Sequence, residues 1–237
     1  MTAMHELGRR SLTLWAGVLA LVSMSPLARA DHGNGKHQNG AERYQQLNLV
    51  SGEVSRLQQS ARWDEATKLL ADVGRVLAHG GADFVAICCN TMHLMADDVE
   101  KAAGVPLLHI ADPLGDAARA AGITKLGLIG TRFTMDEPRI IADRLRNKFG
   151  LEVIVPDAQG REIIDSVIQT ELVKGVIREE SRARYRAVMA DLVREGCQAI
   201  ILGCTEIPLL VTEADASVPL YDTMQLHATA IVDFALA

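Results

Sequence analysis

Two stretches of this chain share one design, and they limit its fold more than any other feature. The first is Asp83-Phe84-Val85-Ala86-Ile87-Cys88-Cys89-Asn90-Thr91; the second is Gln198-Ala199-Ile200-Ile201-Leu202-Gly203-Cys204-Thr205-Glu206. Each is an apolar run of strand length that closes on a cysteine and then on small hydrogen-bonding residues, and helical periodicity follows it. Strands separated by helices imply a mostly parallel sheet covered on both faces. In an open sheet of that kind, ligands gather at the carboxyl ends of the strands, where the next helix presents free N–H groups. Cys89 and Cys204 stand at two such strand ends, in two halves of the chain.

The alternation runs on either side of these stretches. A short strand is predicted at 47–50 and an amphipathic helix at 63–79, with Leu69, Leu70, Val73, Val76 and Leu77 on one side and Gly80-Gly81 as its stop. After the first cysteine strand, 84–88, Asn90 and Thr91 are placed to cap a helix reaching about residue 103. A strand at 105–110, a helix opened by Asp112-Pro113 and a strand at 126–130 come next. A long helix at about 136–148 stops at Gly150, a strand spans 152–155, and helices at about 160–174 and 178–195 meet near Gly175. A short strand at 219–221 and a helix at 223–236 close the chain. The expected fold class is α/β: two similar lobes, each a mostly parallel sheet flanked by helices, with the active site in the cleft between them. Residues 44–112 with 213–237 form the first lobe and 113–212 the second.

The N-terminal part reads differently. In residues 1–30, Arg9-Arg10 precedes an apolar run at 12–24, and Ala28-Arg29-Ala30 offers a cleavage pattern before Asp31. That is the layout of a signal segment, and Arg9-Arg10-Ser11-Leu12 is similar to a twin-arginine export signal. The expected location is periplasmic or secreted; the alternative is a cytoplasmic protein with a buried first strand at 14–22. Residues 31–43 are rich in Gly and Asn and read as a linker. His32 and His37 within it have no partner at metal-ligand spacing.

Composition excludes several classes. The chain has 237 residues, 49% of them hydrophobic, enough for a buried core. A net charge of -6 with interspersed signs and only 4% aromatic residues leave no basic face or stacking platform for nucleic acid. Four cysteines without a Cys-x-x-Cys pair fit neither a disulfide scaffold nor a structural zinc site. No metal and no cofactor is expected, and no membrane contact once the signal segment is removed.

What remains is thiol chemistry. A cysteine at a strand end before a helix N-terminus is expected to have its thiolate favoured by the dipole and by free N–H groups. Two of them across a cleft can act as base on one face of a carbon and acid on the other. Cys197, at the entry to a strand, reads instead as a small buried hydrophobe, and so does Cys88, which strand alternation turns away from the side that Cys89 faces.

These residues also carry a resemblance. Cys89-Asn90-Thr91-Met92-His93 and Gly203-Cys204-Thr205-Glu206-Ile207 resemble the two signature motifs of the aspartate/glutamate racemase family, and Gly130-Thr131-Arg132-Phe133-Thr134-Met135 is similar to a third family segment. The resemblance implies a racemase that needs no pyridoxal phosphate, in which Cys89 and Cys204 remove and return the α-proton of an amino acid, aspartate or glutamate first. It further implies that Asn90, Thr91 and Thr205 hold the α-carboxylate, that Thr131 contacts substrate, and that Lys174 pairs with a substrate carboxylate, as against being a solvated helix end. Glu206 and His93 are placed either to tune the thiols and polarise the substrate ammonium or merely to cap and bond locally. A homodimer is implied as well.

The chain departs from the family pattern at its start. Members open on an apolar strand and a Gly-Gly-Met-rich loop, and Val22-Ser23-Met24-Ser25-Pro26 is the nearest match here, without the glycines. The alternatives are a hydantoin racemase, a maleate isomerase, or a binding module whose catalysis is impaired by the missing loop; a thiol redox protein is disfavoured by the absent Cys-x-x-Cys.

Overall fold

The computed structural model describes residues 53, 54 and 56–237. The predicted signal segment at 1–30, the linker at 31–43 and the strand at 47–50 lie outside the described residues.

After helical residues 53, 54 and 56–59 come helix α1 (Trp63–His79), strand β1 (Val85–Ala86), a 3-10 turn (Thr91–Met95), α2 (Ala96–Ala103), β2 (Leu107–Leu108), α3 (Ala111–Ala120) and β3 (Lys125–Gly130). The second half holds α4 (Arg132–Asp136), α5 (Ala142–Phe149), β4 (Glu152–Ile154), α6 (Ala158–Thr170), a 3-10 turn (Leu172–Lys174), α7 (Glu179–Arg194), β5 (Ala199–Gly203), β6 (Leu220–Asp222) and α8 (Thr223–Leu236), with two further 3-10 turns between β5 and β6. β1 pairs in parallel with β2, and a second, wholly parallel sheet runs in the order β4-β3-β5-β6.

The period-2 alternation of each strand explains the layers. In β5, Ile200 and Leu202 face α6 and α7, where Ile164, Val167, Val188 and Leu192 bury against them. Ala199 and Ile201 face the other side, against Leu114 and Ala118 of α3 and Leu145 of α5. β1 divides likewise. Val85 belongs to a core with Leu70 of α1 and Val99 of α2, while Ala86 shares a small core with Phe84 and Ile231 of α8.

The C-terminal segment serves both sheets. β6 is hydrogen-bonded to β5, and Asp222 caps α8 by accepting from the N–H groups of Met224 and Gln225. α8 then packs onto the first sheet, where Phe234 meets Phe84 edge to face at 5.0 Å and His227 Nε2 donates to the Leu108 carbonyl at 2.7 Å.

The long helix predicted at about 136–148 is helical only from 142, in α5; α4 ends at Asp136, and 137–141 is a turn between them. Pro138 is the cause. It has no N–H to give, and it drives the preceding Glu137 into extended backbone (φ -109°, ψ 97°). The predicted helix at 160–174 also breaks, at Glu171, before Gly175 ends the segment with φ 69°.

Candidate active site

Cys89 and Cys204, from different sheets, line one cavity of about 540 Å³. Asn90, Thr91, Thr131, Thr205 and Glu206 line it with them, so seven of the eight residues singled out in the sequence converge. The eighth does not. Lys174 is exposed at the end of its 3-10 turn, and its neighbour Val173 lines the cavity instead. Cys88 is also in the wall. β1 ends at Ala86, so strand alternation does not extend to Cys88 and cannot turn it away. Cys197 is 3% exposed, in the core of the second sheet.

Two glycines bring the halves of the site close. Gly130 and Gly203 are register partners at the ends of β3 and β5. A Cβ on Gly203 would lie 2.8 Å from Leu128 Cδ1 and 3.1 Å from the Ile129 carbonyl oxygen, and one on Gly130 would lie 3.0 Å from the Gly203 carbonyl oxygen. Only bare backbone fits there. Directly after these glycines come Thr131 on one strand and Cys204 on the other.

Three hydroxyls form a shell. Thr91 Oγ1 is 3.1 Å from Thr134 Oγ1 and 3.5 Å from Thr131 Oγ1, and the Thr131–Thr134 pair is at 3.1 Å. Thr131 also caps α4, its side chain accepting from the Thr134 N–H. Asn90 does not cap the turn after it, contrary to the sequence expectation. Its side chain is drawn across to the C-terminal segment, where Nδ2 donates to Thr223 Oγ1 at 3.0 Å and Thr223 donates on to the Leu202 carbonyl at 3.0 Å. Asn90 Oδ1 is buried without a partner among the described residues.

The thiols are held protonated, which reverses the sequence expectation of favoured thiolates. Burial raises the pKa of Cys89, and the nearby charges of Glu206 and Cys88 add to it; the backbone N–H groups of Met92 and Thr91 pull the other way and lose. Burial raises Cys204 well above the ordinary thiol value, and Glu206 adds to it by charge and by hydrogen bonding, with Cys89 pushing the same way. Cys204 Sγ donates to Glu206 Oε2 at 3.0 Å, and Thr205 Oγ1 donates to the same oxygen at 2.8 Å. The turn after Cys89 is a short 3-10 segment, so little dipole opposes desolvation.

His93 lies behind the cavity and is not part of its wall. Its Nδ1–H donates to the Cys89 carbonyl at 2.8 Å, and its Nε2 accepts from the Ile110 N–H at 3.1 Å, which fixes a neutral ring. His109 lies beside it at a tilt of 58° and His227 edge on, with ring centroids 4.5 and 5.8 Å away. Burial lowers all three, His109 to about 3.

Several wall residues were not singled out in the sequence, although Arg132 and Phe133 lie in the third family segment. Gln58, Arg132, Phe133, Asp165, Ile168 and Gln169 complete the cavity. They are ordinary residues of amphipathic helical turns, and only the packing shows which face they occupy.

The model of the family described as Asp/Glu/Hydantoin racemase matches residues 47–231. The chain is 25% identical over 178 residues to the broad specificity amino-acid racemase RacX of Bacillus subtilis, covering 73% of this chain and 74% of that one. It resembles the crystal structure of a candidate Asp/Glu racemase from Yersinia pestis, with 46% identity, a TM-score of 0.75, and 79% of this chain and 81% of that chain covered. An aspartate racemase homologue from Pyrococcus horikoshii matches with 31% identity and a TM-score of 0.67 over 76% of this chain and 79% of its own. The chain spans about half the length of the Pseudomonas aeruginosa glutamate racemases it also matches (51% of each).

Proposed function

This chain belongs to the Asp/Glu/hydantoin racemase family, and on that premise we propose that it is a cofactor-independent amino-acid racemase working through Cys89 and Cys204. The observation that carries the reading is the convergence of the two cysteines, from separate sheets, on one cavity with a threonine shell.

The chemistry follows from the protonation of the site. A substrate brings an ammonium into a cavity where two thiols are held neutral, and a cation beside a thiol favours its thiolate. Cys204 already shares its proton with Glu206 Oε2, at 3.0 Å, so the carboxylate is placed to take that proton. The Cys204 thiolate then removes the α-hydrogen; its electron pair passes into the α-carboxylate as an enediolate. Cys89 gives its own proton to the opposite face of Cα and is left as thiolate, from which the reverse reaction starts. Asn90 Oδ1, buried without a partner among the described residues, suits the ammonium, and the hydroxyls of Thr91, Thr131 and Thr205 suit the carboxylate whose charge grows in the transition state.

The test is hydrogen exchange at Cα in heavy water, across a panel of L- and D-amino acids with reductant present. The expected result is deuteron uptake at Cα with loss of optical activity. Absence of exchange with every member of the panel would overturn the reading. The family's description points to aspartate and glutamate as substrates; the wall of the cavity points elsewhere.

A further inference from the structure

The charges around the cavity do not suit a dicarboxylic amino acid. Among the described residues that line it, Arg132 is the one cation, against the carboxylates of Asp165 and Glu206. Arg132 is already engaged: its guanidinium is ion-paired with Glu162 and stands 3.9 Å from Asp165 Oδ2. Lys174, the other cation considered for this role, is outside the wall. A side-chain carboxylate entering beside α6 would meet the like charge of Asp165 and a spoken-for arginine.

The groups that are present have the opposite character. α6 places Asp165 and Gln169 one turn apart, so both face the cavity. Asp165 Oδ1 accepts from the Arg132 backbone N–H at 2.9 Å, and Oδ2 makes a long ion pair with Arg132 Nε at 3.9 Å, too far for a hydrogen bond, so Oδ2 retains its capacity to accept one. The Asp165 side chain keeps 18% of its surface accessible. Gln58, from the helical residues 56–59, lines the same cavity at 8% exposure, and its Nε2 is buried with no partner among the described residues. A buried amide left unpaired is costly, and it is satisfied when a ligand supplies the missing bond. In this orientation the unpartnered atom is a donor; turned over by an amide flip, the side chain presents Oε1 in the same place, an acceptor for a cationic head.

We infer that Asp165, Gln169 and Gln58 form a side-chain subsite selecting amino acids whose side chain ends in hydrogen-bond donors, ammonium or guanidinium foremost, over dicarboxylic amino acids. The inference rests on the racemase reading of the same cavity and deepens it. Asp165 supplies the charge; the two amides supply acceptors around the cationic head. Cys89 and Cys204 act on Cα whichever side chain is bound, so the subsite sets preference and leaves the chemistry alone.

The experiment is kcat/KM for racemisation of L-lysine, L-arginine, L-glutamine, L-aspartate and L-glutamate by the full chain, followed by chiral chromatography. The cationic pair is expected to exceed the dicarboxylic pair by about tenfold or more, the effect of one uncompensated charge in a partly buried site. Asp165→Asn is expected to lower kcat/KM for lysine about tenfold more than for glutamine, with the loss in KM, since binding of a remote group is what is removed. Gln169→Glu, which adds a second carboxylate without removing a contact to Arg132, is expected to widen the preference for lysine over glutamate. Equal losses for lysine and glutamine in Asp165→Asn would mark a merely structural role and overturn the subsite. Preference of the parent protein for aspartate or glutamate would also overturn it, with the racemase reading left standing. Absence of Cα exchange with all five would overturn the racemase reading itself.

Discussion

At the scale of single residues, the protonation of the two sulfurs decides how the site behaves. Glu206 raises Cys204 both as a neighbouring charge and as the acceptor of its proton. Replacing it by Gln removes the negative charge, so the thiolate is less disfavoured and the pKa of Cys204 falls. Glu206→Gln is therefore expected to move the alkylation of Cys204 by iodoacetamide to lower pH, as followed by site-resolved mass spectrometry. An unmoved profile would mean that Glu206 is not the group holding that proton. For turnover, Cys89→Ala and Cys204→Ala are each expected to cost at least about a thousandfold in kcat, the usual scale for losing a positioned acid or base. Cys197→Ala, in the core of the second sheet, is expected to act on stability alone, at about 1 kcal/mol, measured by urea unfolding.

At the scale of elements, the closeness of two strand ends sets the geometry. The Gly203 position has no room for a methyl group between Leu128 and the Ile129 carbonyl. Gly203→Ala is expected to cost about 1–3 kcal/mol in urea unfolding and to lower turnover beyond what that loss explains, because Cys204 is the next residue along. Full activity in a stable Gly203→Ala protein would show that the β3–β5 approach does not position the thiol. Much of this scale was legible in the sequence. Apolar runs such as 199–203 are buried on both faces and read plainly as strands; the second cysteine motif follows directly on the end of β5, whereas β1 stops at Ala86, short of the predicted 84–88. The helix at 136–148 misled because its apolar spacing outweighed Pro138. Capping by Asn90 failed because a distant hydroxyl, Thr223, competes for its amide. The resting state of the thiols was not legible, since desolvation depends on what surrounds a sulfur and no local pattern encodes that. For the same reason Gln58, Asp165 and Gln169 passed unnoticed: they meet only after two separate helical segments have packed.

At the scale of the whole molecule, the three clustered histidines couple folding to pH. They bring α8, the segment ahead of α3 and the turn after Cys89 to one point, where Arg144 and Lys148 of α5 further disfavour a charge on His109 and Asp112 partly offsets this for His227. Their folded pKa values lie below the ordinary 6.5. Above that value both folded and unfolded chains leave them neutral, and pH has no effect through them. As pH falls through it, the unfolded chain takes up protons that the folded one refuses, so stability drops. The slope is about 1.4 kcal/mol per pH unit for each histidine, down toward its folded pKa. Unfolding midpoints in urea are expected to decline steeply between about pH 6 and 4.5, a window above the range where carboxylates such as Asp112 titrate. His109→Asn, whose side-chain oxygen can still accept from the Ala111 N–H that Nδ1 now meets at 3.1 Å, is expected to flatten that decline by one histidine's share. A flat profile in the parent protein would remove the histidines from the account.

Sulfurs stored as S–H in a desolvated cavity react sluggishly with peroxide and with small electrophiles, because it is the anion that attacks them. The empty protein thus carries its own protection against air and against covalent reagents. Under the proposed mechanism that shelter ends when an amino acid's ammonium arrives, so substrate is expected to hasten the inactivation of this protein by hydrogen peroxide, where an occupant ordinarily shields.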